Sequence, residues 1–187
     1  MAQKDATPFT EAANKTLLNE LNWEDTRDFE AAARGFIASL DEPVITSDDG
    51  RPAWNLAAYP FLEEETAPPS VNPSLWRISR LNALYHGLFQ VSDGIYQIRG
   101  FDLSVMSIIE TDTGYIVVDP LVTVPTAKAG MELVYHHLGR KPIVAVIYTH
   151  SHIDHWGGVK GVISEDDVRA QRRGLRPGDA AQLARLS

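Results

Sequence analysis

Ile143-Val144-Ala145-Val146-Ile147-Tyr148-Thr149-His150-Ser151-His152-Ile153-Asp154-His155-Trp156-Gly157-Gly158 is the stretch that decides the fold. Its first six residues form a continuous apolar, β-branched run, the mark of an interior strand. Upstream, Thr123 can cap a helix and Pro125 sits early in it, where a missing N–H costs nothing. Ala127, Met131, Val134 and Leu138 make its buried stripe, and Gly139 stops it. Before that helix, Gly114 to Asp119 reads as a strand whose Ile116-Val117-Val118 suits burial on both faces. A strand, a crossover helix and a second buried strand make a right-handed βαβ unit, so the architecture is α/β.

Further towards the N-terminus, Phe89-Gln90-Val91 and Ile95 to Arg99 flank Ser92-Asp93-Gly94, a hairpin pattern with turn residues in place. Ser104 to Glu110 pairs with Gly114 to Asp119 around Thr111-Asp112-Thr113-Gly114. Asp41 to Arg77 is punctuated by Pro43, Gly50, Pro52, Pro60, Pro68-Pro69 and Pro73, which prevent long regular elements. Trp54, Tyr59, Phe61 and Trp76 are too apolar for a free linker, so an ordered, extended segment anchored by aromatics is expected. From Asn14 to Leu40, the apolar residues Leu17, Leu18, Leu21, Phe29, Ala33, Phe36, Ile37 and Leu40 recur at helical spacing. One or two amphipathic helices follow from that, with Asp25 or Thr26 as cap of the second. The expected division is an N-terminal helical and extended arm over 1–80, an α/β domain over 81–168, and a tail over 169–187.

Composition narrows the function. The 187 residues hold 17 Lys+Arg against 25 Asp+Glu, net -8, with 44% hydrophobic residues. That is a folded domain without the basic face a nucleic-acid binder needs. No stretch approaches the roughly 18–20 apolar residues of a membrane span. The start lacks a basic then apolar signal pattern, so the chain reads as cytoplasmic as it stands. With no cysteine, any metal must be held by His and carboxylate.

The motif then carries the chemistry. Active-site groups in open α/β sheets collect at the carboxyl ends of strands. If the backbone stays extended after the strand, His150, His152 and Asp154 project to one side, and His155 joins them if the chain turns at Gly157-Gly158. Imidazole nitrogen and carboxylate oxygen bind zinc at about 2.0–2.2 Å. Two such ions about 3.5–4 Å apart can activate water for attack. A lone His after a strand would be an ordinary polar residue. Three His and one Asp in six positions, left unpaired, would cost several kcal/mol to bury.

His-x-His-x-Asp-His followed by Gly-Gly resembles the metallo-β-lactamase superfamily. The stretches Val71 to Arg77, Gly94 to Gly100 and Tyr148 to His155 are similar to its bacterial alkyl sulfatases, as are Asn22-Trp23-Glu24-Asp25 and Phe29 to Gly35. The resemblance runs from about residue 14 to about 168. It implies the N-terminal half of the superfamily's αβ/βα sandwich behind a helical N-terminal extension. It also implies a zinc-dependent hydrolase of dodecyl-sulfate-type esters, releasing alcohol and sulfate. By the family pattern His150 and His152 bind the first zinc and Asp154 and His155 the second. Asp154 is also the candidate catalytic carboxylate, and Asp119, before Pro120, supports the metal ligands from behind. Other hydrolases of the superfamily (lactonase, thioesterase, β-lactamase) and an inactive metal-binding fragment are the alternatives.

Two departures stand out. Ser104-Val105-Met106 occupies a place where the family usually reads Ala-Asn-Met. Family members also continue for several hundred residues, supplying two Glu and a further His, sulfate-binding groups, a dimerisation domain and a sterol-carrier-like domain, and they are often periplasmic or secreted. From Arg169 five Arg stand against one Asp with no aromatic residue, which fits an out-of-frame reading or a basic helix. Glu165, Asp166 and Asp167 read as a helix start capped by Ser164 rather than as ligands. His136-His137 read as a helix C-terminal pair, His86 as a loop residue, and Trp23, Trp54 and Trp76 as packing anchors, with a detergent-tail pocket as the lesser reading.

Overall fold

The computed structural model describes residues 5–174. Thr7 caps α1 (Pro8–Glu20), its Oγ1 accepting from Thr10 N, and Pro8 opens the helix where it needs no donor. In front of α2 (Arg27–Ala33) the Asp25 carboxylate accepts from Arg27 N at 3.2 Å. Neither helix buries a residue. The helical stripe expected through Phe36 and Ile37 is broken at Gly35. Its φ is +75°, and a Cβ there would lie 2.0 Å from the Gln90 carbonyl oxygen. The chain therefore turns, and Phe36 and Ile37 enter β1 (Phe36–Ala38), where aromatic and β-branched residues suit a strand.

The proline-rich segment is ordered and extended as expected, with β2 (Val44–Thr46) and β3 (Pro52–Asn55) forming a small antiparallel pair. Its end differs. Pro73 does not interrupt a regular element but opens α3 (Pro73–Leu84), because Asn72 Oδ1 accepts from Ser74 N at 2.9 Å and Leu75 N at 3.3 Å. Next come the hairpins β4 (Gly87–Ser92) with β5 (Ile95–Arg99), and β6 (Met106–Glu110) with β7 (Tyr115–Val118). Thr123 caps α4 (Val124–Leu138), Gly139 at φ 87° ends it, and β8 (Ile143–Ile147) returns parallel to β7. Ser164 Oγ accepts from Asp167 N at 3.1 Å at the start of α5 (Glu165–Gly174), the expected capping. That helix runs into the segment read as a tail, of which 175–187 lie outside the described residues.

The main sheet has the order β1-β4-β5-β6-β7-β8, so β1 from the arm joins it beside β4. One face carries the core: Ile98, Met106, Ile108, Tyr115 and Val117 lie fully buried under Ala127, Met131 and Val134 of α4. Burying each large side chain contributes about 1.5–3 kcal/mol. Burial on both faces, expected of the last two strands, is not what the sheet shows. β7 alternates, with Tyr115 and Val117 buried and Ile116 and Val118 half-buried. β8 lies at the edge, where Val144 and Ile147 are exposed, because α4 covers only one face. Among the described residues no helix is long and apolar enough to cross a membrane.

The turn after β8 packs against the β7–α4 connection with no room to spare. A Cβ on Gly157 would lie 2.3 Å from the Val122 carbonyl oxygen, and one on Gly158 would lie 2.1 Å from that of Pro120. Close approach, and not a left-handed turn, is what these glycines permit: Gly158 has an ordinary φ of -83°. Gly158 N also donates to Leu121 O at 2.9 Å. Gly158→Ala should therefore lower stability by about 3 kcal/mol, the upper end for overpacking, in urea unfolding; a loss below about 0.5 kcal/mol would show that the two connections separate freely.

The arm is fastened by Trp54 Nε1, which donates to Gly100 O at 3.2 Å, and by a 2.8 Å bond between Ser39 Oγ and His86 Nδ1. Burial pushes the His86 pKa below the ordinary value of 6.5. A lowered folded-state pKa means the neutral ring is favoured, so this contribution is present above about pH 6.5 and lost as pH falls through the folded-state pKa. Unfolding midpoints measured from neutral to mildly acidic pH should fall, and His86→Gln should flatten that dependence. An unchanged slope in the variant assigns the acid sensitivity elsewhere.

Candidate metal centre

The site is assembled where β7 and β8 end side by side. Asp119 follows β7 with φ 54°, a left-handed conformation that Asp tolerates better than most residues. The bend turns its carboxylate across to the end of β8. Asp119 Oδ1 accepts from Thr149 N at 2.8 Å, and Oδ2 accepts from Thr149 Oγ1 at 2.6 Å and from His155 Nδ1 at 2.8 Å. Burial alone would raise this carboxyl group, but the hydroxyl and amide of Thr149 and the His155 ring outweigh it and hold the pKa below the usual carboxylate range. Backbone strain continues at Leu121, with φ 63°, whose N–H donates to Asp119 O.

Past Thr149 the backbone is not extended. It bends and then closes a short 3-10 turn over Ile153–His155, with His155 N donating to His152 O at 3.0 Å. Alternation of faces therefore does not group the side chains; curvature does. The His150 ring centroid lies 4.7 Å from that of His152 and 3.9 Å from that of His155. Asp154 Oδ2 lies 3.2 Å from His155 Nε2. All four motif residues and Asp119 are thus brought to one place, with His150 and His152 exposed and Asp154 and His155 half-buried.

A carboxylate only accepts, so the contact with Asp119 puts the His155 proton on Nδ1 and turns Nε2 towards Asp154. Thr149 Oγ1 also lies 3.0 Å from His150 Nδ1. Sequence reasoning passed over Thr149, although its place at the junction of strand and motif was the available signal. The donors are nitrogen and oxygen ligands of the kind a divalent transition metal takes. Among the described residues no group of three or more His, Asp or Glu is arranged to hold a metal ion. The donor chemistry of His150, His152, Asp154 and His155, gathered at one end of the sheet, fits part of a ligand set. Glu165, Asp166 and Asp167 stay on the α5 start, as expected, and His136 and His137 stand exposed in the last turn of α4.

Residues 99–173 match the profile of the Metallo-beta-lactamase superfamily. The chain is 51% identical over 168 residues to a linear primary-alkylsulfatase of Pseudomonas sp, covering 89% of this chain and 25% of that one. It is 48% identical over 167 residues to an alkyl/aryl-sulfatase of Saccharomyces cerevisiae, covering 89% and 26%. The solved stereoselective inverting sec-alkylsulfatase Pisa1 of Pseudomonas sp. superposes with a TM-score of 0.83 at 45% identity, over 91% of this chain and 26% of the other. The chain spans about a quarter of the length of the curated relatives it matches. By sheet, by motif geometry and by these likenesses, the chain is similar to a part of the alkylsulfatases and carries a match to the metallo-β-lactamase superfamily, whose chemistry implies a metal.

Proposed function

We propose that this chain contributes part of a dinuclear zinc centre that hydrolyses alkyl sulfate esters, giving an alcohol and sulfate. His150 and His152 would hold one ion, and Asp154 and His155 the other. The observation that carries the reading is the convergence of three imidazoles and Asp154 at the sheet edge, in a chain about half identical to proteins named alkylsulfatases. Bound zinc would lower the pKa of water towards neutrality and offset the charge of a sulfate group.

The remaining work falls to the polypeptide. Asp119 fixes the His155 tautomer, so that the ring offers Nε2 and not Nδ1 to the site. Thr149 fastens Asp119 to the start of the motif and limits how His150 can rotate. Asp154, 3.2 Å from His155 Nε2, would take a proton or steady an ion on that side. Four side chains shared between two ions fall short of the about four ligands each zinc takes, so further donors are required.

Zinc titration followed by calorimetry should show binding that His152→Ala abolishes and Asp119→Asn weakens about 10–100-fold, the usual range for a residue behind a ligand. Sulfate release from dodecyl sulfate should depend on zinc and disappear with chelator or in His152→Ala. Zinc binding unchanged by His152→Ala overturns the metal assignment. Cleavage of a lactone, thioester or β-lactam in place of the sulfate ester overturns the substrate class while keeping the centre.

A further inference from the structure

Among the described residues four polar or charged side chains are buried: Asp102, Ser104, Asp119 and Thr126. Asp119 serves the candidate metal centre. The other three lie together around the carboxylate of Asp102, which is 8% exposed and has no part in the reaction proposed above.

β5 ends and β6 begins at the sheet edge where β7 delivers Asp119, since Ile98 pairs with Met106 and Ser107 with Val118. Asp102 lies in the connection 100–105 between them. Its Oδ1 accepts from Ser104 N at 3.0 Å, and Oδ2 accepts from Val122 N at 2.9 Å and from Thr126 Oγ1 at 2.7 Å. The carboxylate thus joins the connection 100–105 to the connection 119–123, and both to the first turn of α4.

Thr126 Oγ1 also lies 2.8 Å from Thr123 Oγ1 and 2.9 Å from Thr123 O. It has one proton, and a carboxylate is the strongest acceptor in reach. The proton therefore goes to Asp102, and Thr123 Oγ1 donates to Thr126 in turn. Starting the helix does not require Asp102, because Thr123 Oγ1 already accepts from Thr126 N at 3.4 Å. The connection does require it. Asp119 and Leu121 stand at φ 54° and 63°, and strained backbone persists only where its surroundings over-determine it. Thr149 and His155 hold Asp119 at one end, and Asp102 holds Val122 N at the other.

The turn of the His motif rests on the stretch between. Gly158 N donates to Leu121 O at 2.9 Å, and a Cβ on Gly157 would lie 2.3 Å from Val122 O. Gly157 N closes the turn on Ile153 O at 2.7 Å. Displacing Val122 therefore shifts the backbone that presents Asp154 and His155. None of the hydrogen bonds of Asp102 reaches His150, His152, Asp154 or His155.

We propose that Asp102 is a positioning residue: from behind the 119–123 connection it sets where the turn bearing His152, Asp154 and His155 lies. Its consequence for a bound metal rests on the hydrolytic reading above; its hold on the turn does not. A carboxylate is required because three donors meet two acceptor oxygens. An amide offers one oxygen and an NH₂, which would face Ser104 N–H or Val122 N–H, donor against donor.

Hydrogen exchange of the Gly158 amide, read without metal and without denaturant, reports local opening of the turn. Asp102→Asn should speed it about tenfold. Thr126→Val keeps the carboxylate and removes one donor, so it should speed exchange about threefold, and the double variant should match Asp102→Asn. Val134→Ala opens a cavity under the same helix and lowers the urea midpoint, yet should leave this exchange at the wild-type rate. Cobalt(II), titrated as a probe whose visible bands report ligand geometry, should bind Asp102→Asn about tenfold more weakly and with shifted bands, but Val134→Ala as it binds the wild type. Unchanged Gly158 exchange in Asp102→Asn, or in Thr126→Val should the former not fold, overturns the proposal, as does equal acceleration by Val134→Ala. If the wild-type chain binds no cobalt, the hydrolytic reading fails and the exchange comparison still decides this one.

Discussion

The carboxylate of Asp119 is the constraint on which the rest of the site depends. It accepts three hydrogen bonds from two residues that follow β8, although it itself follows β7. Parallel strands carry no hairpin between them, so nothing local aligns their ends. Asp119 supplies that alignment with a charged acceptor, whose hydrogen bonds are stronger than neutral ones. The left-handed backbone at Asp119 and Leu121 is the cost, and the packing of Gly157 and Gly158 against the same connection keeps it from relaxing. Strain, close backbone approach and hydrogen bonding all converge on one five-residue connection.

Much of this was legible in the sequence because local and long-range signals agreed. The hairpin at Asp93-Gly94, the Thr123 cap, the stop at Gly139 and the parallel return of β8 each rest on residues whose own chemistry forces the element. The gathering of His150, His152, Asp154 and His155 at the end of β8 was legible too, from their spacing directly after an apolar strand. Legibility failed where a signal had two meanings. Pro73 can break a helix or begin one, and only the side chain of Asn72 decides. Phe36 and Ile37 suit a helical stripe or a strand, and the tight contact of Gly35 with Gln90, far along the chain, decides. An unbroken apolar run promises burial on both faces, yet β8 shows that the promise depends on what else packs there.

The arm illustrates how a segment without much regular structure becomes part of a domain. Its first two helices, α1 and α2, bury no residue of their own, so propensity and capping alone would leave them marginal. Trp54 fastens the arm to the sheet by donating to the Gly100 carbonyl, while Trp76 on Glu64 and Trp23 on Leu18 brace the arm within itself. Each satisfies its single N–H, with the Trp76 ring buried and those of Trp23 and Trp54 half-buried. Because β1 pairs with β4, the arm also extends the sheet, and its aromatic residues are delivered to the rim where the connection 100–105 emerges. A cavity at that rim follows from the way the arm is attached.

Charge sets the final condition on any anionic substrate. The chain carries a formal net charge of -8, and the site itself brings Asp119 and Asp154, so the long-range field repels a sulfate ester. Hydrophobic attraction for an alkyl chain can offset part of that repulsion, at about 0.8 kcal/mol per buried CH₂, but it acts on the tail and leaves the head unattended. Attraction for the head must therefore come from nearby cations. At the motif the polypeptide offers carboxylates and imidazoles, which on the proposed reading would recruit divalent ions and so reverse the local sign. On the proposed function, holding metal and attracting the anionic head would be two stages of loading one site.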